Sequence, residues 1–330
     1  MTNYRDAKYT FPTVTFSGVA ESSPVEGNIW YDSGKFYLGT SLSFTGVWSS
    51  GGNISTARYG ISGAGTQTAG LCFGGETASD DVRTTEEYDG SSWSSGGDLG
   101  TAKSISAGAG TQAAGLCIAG YTNLNANTNV TEEYNGTAWS AGGNIATARR
   151  QLAGAGTQSA AICMGGNTGS RVNSTEEYDG TSWSSGGNLA TAHRSLAGAG
   201  TQSAGLCMGG DTAVSDSNVT EEYDGSAWSA GGNLGTARSA LAGAGTQAAG
   251  LCMGGNDGSD SNVTEEYDGS AWSAGGNLNT ARRSLGGAGT QSAGLCMGGN
   301  TGSYSHSNVT EEYDPGPGSY DELFTASQGL

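Results

Sequence analysis

Positive charge is scarce in this chain: 13 lysines and arginines face 31 aspartates and glutamates, a net −18. A surface of that sign repels phosphate backbones and anionic lipid heads, so nucleic acid is not an expected partner. Long apolar runs are missing as well. No stretch nears the roughly 18 residues that a membrane helix needs, so membrane insertion is not expected. The opening MTNYRDAKYTFPTVTF has no apolar signal core, and classical secretion is not expected either. Histidine is limited to His193 and His306, and no Ser/His/Asp set or metal-ligand spacing surrounds them. Helical periodicity is absent.

Glycine is abundant, at 60 of 330 residues against a usual share of about 7%. There is no strict Gly-X-Y triplet, which excludes collagen. A longer period is present instead. Trp48, Trp93, Trp139, Trp183, Trp228 and Trp272 are separated by 45, 46, 44, 45 and 44 residues. Cys72, Cys117, Cys163, Cys207, Cys252 and Cys296 have the same five separations. Units of that size are too small to fold alone and must share cores, as in a stack or a ring. Equivalent sulfurs on neighbouring units of a ring would lie on the order of 10 Å apart, too far for disulfides. The spacing is not that of a CxxC zinc site. The cysteines therefore read as small buried thiols.

One unit shows the local logic. SLAGAG (195–200) is small and apolar, and TQ makes a tight turn. AGLCM (204–208) is a short apolar run stopped by Gly209-Gly210. A polar stretch leads to VTEEY (219–223). Asp224-Gly225 is a hairpin signal, and AWSA (227–230) precedes another Gly-Gly. This predicts a four-stranded antiparallel meander. If six first strands converge on one axis, only glycine and alanine allow the approach. Tryptophan, leucine and methionine then fill the wedge between sheets, with the six tryptophans as structural residues. That is a β-propeller blade.

The order of Gly-Gly, Glu-Glu-Tyr-Asp, Trp and a downstream TAR segment resembles the kelch repeat over roughly residues 45–314. The second unit departs mildly, with IAG for MGG and Asn135 for the aspartate. The sialidase-type Asp-box also sets Asp, Gly and Trp near a hairpin. It places a residue between Asp and Gly that is missing here.

The repeat also predicts how the ring closes. FTGVWSS (44–50) is a fourth strand without a blade, and the last unit (285–313) stops before a tryptophan. Pairing the two leaves no sheet edge between chain ends. The expected fold is all-β: a six-bladed kelch-like propeller over 44–314, closed by an N-terminal strand and three C-terminal ones. A hairpin attachment segment (1–43) and an extension (315–330) flank it.

Variation sits in one place. Between Gly-Gly and Thr-Glu-Glu the six units hold 9, 10, 8, 9, 8 and 10 residues, and the first five account for all five cysteine separations. Every insertion thus lies in the loop between the second and third strands, on the face that also carries the connections between blades. Insertions on one face are how repeat proteins build a binding surface. The candidate ligand-binding residues are Arg83, Tyr121, Asn123, Arg171, Asp216, Asp257, Asp260, Tyr304 and His306, a set suited to stacking and hydrogen bonding with sugar rings. The same variation also follows if nothing constrains these loops.

Other chemistry is weaker. The glutamate pairs, such as Glu221-Glu222, point to opposite faces of a strand and recur in every unit, unlike a catalytic pair in one asymmetric pocket. A cation follows each TA: Arg58, Lys103, Arg149, His193, Arg238 and Arg282. This reads as a repeated structural bridge to glutamate, with His193 in an arginine position. GAGTQ lacks the lysine and helix of a phosphate loop. DTAVSDSN and NDGSDSN suit calcium or plain solvation, and no other cofactor is expected.

The segment PVEGNIWYD…GKFYLG, centred on Asp32-Ser33-Gly34, reads as a β-hairpin. It resembles short modules of bacteriophage tail and virion proteins. That resemblance implies a particle component assembled in the host cytoplasm, homo-oligomeric in its assembly and bound to other virion proteins through residues 1–43. The leading expectation is a non-enzymatic tail or capsid appendage presenting its loops to a host glycan or protein. An interaction scaffold unconnected with a virus, and a carbohydrate-active enzyme with a central pocket, are the alternatives.

Overall fold

Six times the sequence alternates small residues, turns at Thr-Gln and runs on into an apolar strand, and six times the chain forms the same sheet. The computed structural model describes residues 29–32, 35–38, 46–302 and 305–316. It divides into two compact units, one of residues 1–44 with 317–330 and the other of residues 45–316. In the first, strands Ile29–Asp32 and Lys35–Leu38 pair antiparallel with Asp32 opposite Lys35, as the hairpin reading expects. The rest of 1–43 and the extension beyond Gly316 lie outside the described residues.

The second unit is a six-bladed propeller. In the fourth blade the strands are Ala197–Thr201, Ala204–Met208, Thr220–Tyr223 and Trp228–Ala230, hydrogen-bonded in that order. Blades one, three, five and six follow the same order. The first strand of each blade packs against the first strands of both neighbours, and the sixth packs against the first. Glycine is obligatory at this axis. A β-carbon on Gly108 would lie 2.3 Å from the Gly63 carbonyl oxygen, and one on Gly63 would lie 2.6 Å from that of Gly287.

The ring closes as its half-units require. Thr310–Asp314 pairs with Val47–Ser50, setting Tyr313 opposite Trp48 and Glu311 opposite Ser50. The edge that an open arc would expose is thereby paired. Asp314 and Val47 lie level with the Asp-Gly turns of the other blades, so the chain enters and leaves the ring on that side.

Every junction between blades uses one set of bonds. The tyrosine ending a third strand donates its hydroxyl to the second glutamate of the preceding blade: Tyr134 to Glu87 at 2.5 Å, Tyr178 to Glu133 at 2.6 Å and Tyr267 to Glu222 at 2.6 Å. Tyr223–Glu177, Tyr313–Glu266 and Tyr88–Glu312 complete the circle. Each tryptophan Nε1 donates to a threonine of the preceding blade, as Trp228 does to Thr175 at 2.9 Å and Trp48 to Thr264 at 3.0 Å. Each Thr-Gln turn sends its glutamine amide to two carbonyls of the preceding blade, as Gln202 does to Ala161 and Tyr178. Leucine, methionine and cysteine fill the wedges behind these polar bonds, as in Leu206, Met208 and Cys252. Trp48 is buried, and the tryptophans of the other five blades pack half-buried at blade edges.

The second blade departs from its siblings. Its middle strands run on as Ala114–Thr122 and Ala126–Tyr134, with an irregular register between Ile118 and Gly120. Lys103–Ser104 adds along the extension. The ten-residue loop here continues the ladder instead of leaving it, so this blade exceeds the expected strand length.

Burial, and then the hydrogen bond to glutamate, hold Tyr88, Tyr134, Tyr178, Tyr223 and Tyr267 up at about 12 from an ordinary 10.0, with Tyr313 raised further. A folded-state value above the unfolded one stabilises fully below the unfolded value and is lost as pH rises through the folded one. The propeller should therefore be insensitive to pH just below 10 and unfold between about 10 and 12. Tyrosinate absorbance and circular dichroism should change together; tyrosines titrating near 10 with the sheet intact would contradict these bonds.

Candidate functional site

The two faces of the ring are chemically different. On one, each Asp-Gly turn is capped by its own aspartate: Asp224 Oδ1 accepts from the Ser226 and Ala227 amides, each at 2.8 Å. Such donors hold Asp179, Asp224 and Asp268 below the usual carboxylate value, and the Ser91 hydroxyl with turn amides brings Asp89 down to about 2. These carboxylates serve their turns.

On the other face the variable loops are built onto the connections between blades. Backbone bridges join Tyr59 to Glu76, Arg150 to Asn167, Arg194 to Asp211, Ser239 to Asn256 and Arg283 to Asn300. Inside them runs a feature that no sequence pattern announced. Gly60, Ile105, Gln151, Ser195, Ala240 and Ser284 all have left-handed backbone, with φ between 45° and 60°. Each donates its N–H to the carbonyl of the one before, at 2.7–2.9 Å, and Gly60 closes the loop onto Ser284. Five non-glycine residues in this conformation cost about 1–2 kcal/mol each, an expense met only where the surroundings dictate it. The circle rims a cavity of about 90 Å³ lined by the three residues that follow each member, such as Leu196–Gly198. Serine is the sole polar residue type in that lining, and Ser62 and Ser106 bond to each other at 2.8 Å.

The candidate residues occupy this loop face, but several are committed to holding it together. Arg171 Nη2 grips both carboxylate oxygens of Asp211 in the next blade at 2.8 Å, and Arg194 Nε reaches the same carboxylate at 2.6 Å. These partners keep Asp211 below its ordinary value in spite of its burial. Asp260 accepts from Arg283 at 2.6 Å and from the Gly302 amide. Asp257 accepts from the Ser259 amide, and Asp216 joins Asp211 through a backbone bridge. His306 stacks against Tyr59 with ring centres 4.9 Å apart. Arg83 is more than half exposed and stands 3.8 Å from Asp98. Asn123 is exposed at the tip of the long second-blade hairpin. Tyr121, on the same hairpin, lies under the Arg150 guanidinium at 4.3 Å. Tyr304 lies outside the described residues. Among the described residues no group of three or more histidine, cysteine, aspartate or glutamate side chains could hold a metal ion.

Charge divides this face. All ten lysines and arginines of the propeller lie in connections or variable loops, five of them fully buried. Across blades two to four the face carries Arg150, Arg171 and Arg194 against Asp211 and Asp216. The other half carries Arg83 and Arg283 against Glu76, Asp80, Asp81, Asp98, Asp257 and Asp260. The apolar tips Leu124, 86% exposed, and Val214, 93% exposed, stand on the loops of blades two and four, at either side of Arg171. Sequence reasoning named neither Arg150 nor these tips, because their grouping depends on the order of blades around the ring.

The glutamate pairs are consumed by structure. The second of each pair holds a tyrosine. The first is buried against a cation, as in Glu86–Arg58 at 2.8 Å, Glu132–Lys103 at 2.8 Å and Glu265–Arg238 at 2.7 Å. All six cysteines are buried free thiols. The expected bridge fails at His193, which bonds the Gly209 carbonyl at 2.8 Å and not Glu221, because imidazole is too short. The sequence matches no family model and no curated protein.

Removing one partner of a buried ion pair leaves an uncompensated charge. Glu265→Ala should cost about 3–5 kcal/mol in urea unfolding, and Asn123→Ala should stay within about 0.5 kcal/mol. Equal effects would show that the pair is not structural.

Proposed function

We propose that this chain is a non-enzymatic interaction protein that docks its partner on the loop face across blades two to four. The carrying observation is an asymmetry: the repeated positions are tied up in recurring structural bonds, and the length and content of the variable loops differ on one face. That face is opposite the side on which the chain enters and leaves the ring. The surplus of arginine over blades two to four, on a chain of net −18, favours a partner bearing carboxylates. Leu124 and Val214 favour a polypeptide over a bare glycan, because aliphatic tips gain little from sugar rings.

The setting we propose is a bacteriophage virion, with residues 1–43 attaching the propeller to other virion proteins and the loops facing a host-surface molecule. Its supports are the likeness of PVEGNIWYD…GKFYLG to virion hairpin modules and the kelch-like order of the blades. The scaffold without a virus shares the docking face and differs only in the attachment.

Two measurements separate these readings. The full chain should co-purify with particles, and deletion of residues 1–43 should abolish incorporation. A chain that binds through its loops but never enters particles would select the scaffold. For docking, the double variant Leu124→Ser/Arg150→Glu should weaken capture of host-surface protein at least tenfold, with the melting temperature retained. Unchanged capture, or binding confined to a glycan array, would overturn the polypeptide reading.

A further inference from the structure

In five blades the turn from the third strand to the fourth joins a capping residue to a glycine, and in one of them the cap is not aspartate. Asp89, Asp179, Asp224 and Asp268 precede Gly90, Gly180, Gly225 and Gly269, whereas the second blade has Asn135 before Gly136. Asn135 is the one asparagine of the chain that is followed by glycine. It caps in the same way: its Oδ1 accepts from the Thr137 amide at 3.0 Å and the Ala138 amide at 2.9 Å. The four aspartates hold the equivalent amides at 2.8–2.9 Å, as charged acceptors do.

Exchanging carboxylate for amide changes what these bonds do to the side-chain carbon. A carboxylate already bears the charge that the turn amides stabilise, and its carbon is a poor electrophile. The caps keep Asp89, Asp179, Asp224 and Asp268 ionised at neutral pH. An amide is neutral, so the same two N–H groups draw electron density from Cγ through Oδ1. They also stand ready for the negative charge that this oxygen takes on when Cγ is attacked. The nucleophile is built in: a bond from the Gly136 nitrogen to Cγ closes a five-membered ring, an intramolecular step between neighbouring atoms of the chain. The Gly136 N–H donates to no group among the described residues, and glycine has no side chain to obstruct the approach. Asn135 is exposed, and its Nδ2 has no partner among the described residues, so the departing nitrogen can reach water.

We propose that Asn135 is a self-modification site, converted within its own turn to aspartate or isoaspartate. The Gly136 nitrogen gives its proton to solvent and bonds to Cγ. The Cγ–Nδ2 bond then breaks, and the side-chain nitrogen takes a proton from solvent and leaves as ammonia. One water adds to either carbonyl of the cyclic imide and reopens the ring. In sum one water enters and one ammonia departs, with no oxidant or reductant. The product puts a further carboxylate on the turn face, opposite the face on which docking is proposed, and does not depend on that docking. The change needs no second protein and is not reversed by water, so it accumulates with the age of the folded chain.

Peptide mapping by mass spectrometry tests it, on the full chain incubated folded at mildly alkaline pH and, in parallel, unfolded in guanidinium chloride at the same pH. Asn135 should show the mass change of amide to acid before any other asparagine, and at least as fast in the folded chain as in the unfolded one. Gly136→Ala should slow the conversion by about tenfold or more, because a methyl group hinders the approach of the nitrogen. Gly136 has a φ of 86°, which strains any side chain there, so the comparison of folded with unfolded unsubstituted chain decides should that variant fold poorly. A folded chain in which Asn135 keeps its amide, or loses it more slowly than in guanidinium chloride, would overturn the site. So would conversion no faster than at the exposed Asn123, which precedes leucine, or an undiminished rate in folded Gly136→Ala.

Discussion

The bond between a tyrosine hydroxyl and the second glutamate of the preceding blade is the interaction on which the rest of this propeller depends. A sheet of about 45 residues buries too little apolar surface to stand alone, so each blade must be completed by its neighbour. The tyrosine does this from a fully buried position, as Tyr178 and Tyr223 show, and the tryptophan–threonine and glutamine–carbonyl bonds fix the same junction at two further points. Once six junctions share one geometry, the inner strands must meet at the axis. There only glycine survives, because a β-carbon on Gly198 would come within 2.9 Å of the Gly154 carbonyl oxygen.

Uniform junctions leave little free chemistry at repeated positions. The repeated glutamates, arginines and tyrosines are paired with each other or with backbone, the tryptophans donate to threonine hydroxyls, and the turn-face aspartates cap their own turns. What remains free to differ is the loop face, and even there Arg171–Asp211 and Arg283–Asp260 tie neighbouring segments together. The left-handed circle from Gly60 to Ser284 gives those segments a common rigid base. A surface assembled this way suits recognition, because loops of different content are held at fixed spacing by a scaffold that does not change.

Much of the fold was legible because period, glycine placement and turn chemistry agree with one another. The complementary half-units predicted closure at Trp48 and Tyr313, and the loop-length differences identified the decorated face. Features that depend on three-dimensional neighbours were not legible. The left-handed circle carries Gly, Ile, Gln, Ser, Ala and Ser, which share no backbone preference, so the ring imposes the conformation against local tendency. Arg150 has no distinguishing neighbour in sequence; its meeting with Tyr121 needs the extended second-blade hairpin. His193 was read as an arginine substitute on position alone, and the reach of its side chain decides otherwise.

Hydrogen exchange of the intact chain, followed by mass spectrometry, tests the closed ring most directly. Backbone amides in Val47–Ser50 should exchange as slowly as those in the equivalent outer strand Trp228–Ala230, and Thr310–Asp314 as slowly as Thr220–Tyr223. Rapid exchange across Val47–Ser50, with protection retained in the outer strands of the other blades, would mean that the first and last segments do not join and that the toroid is open.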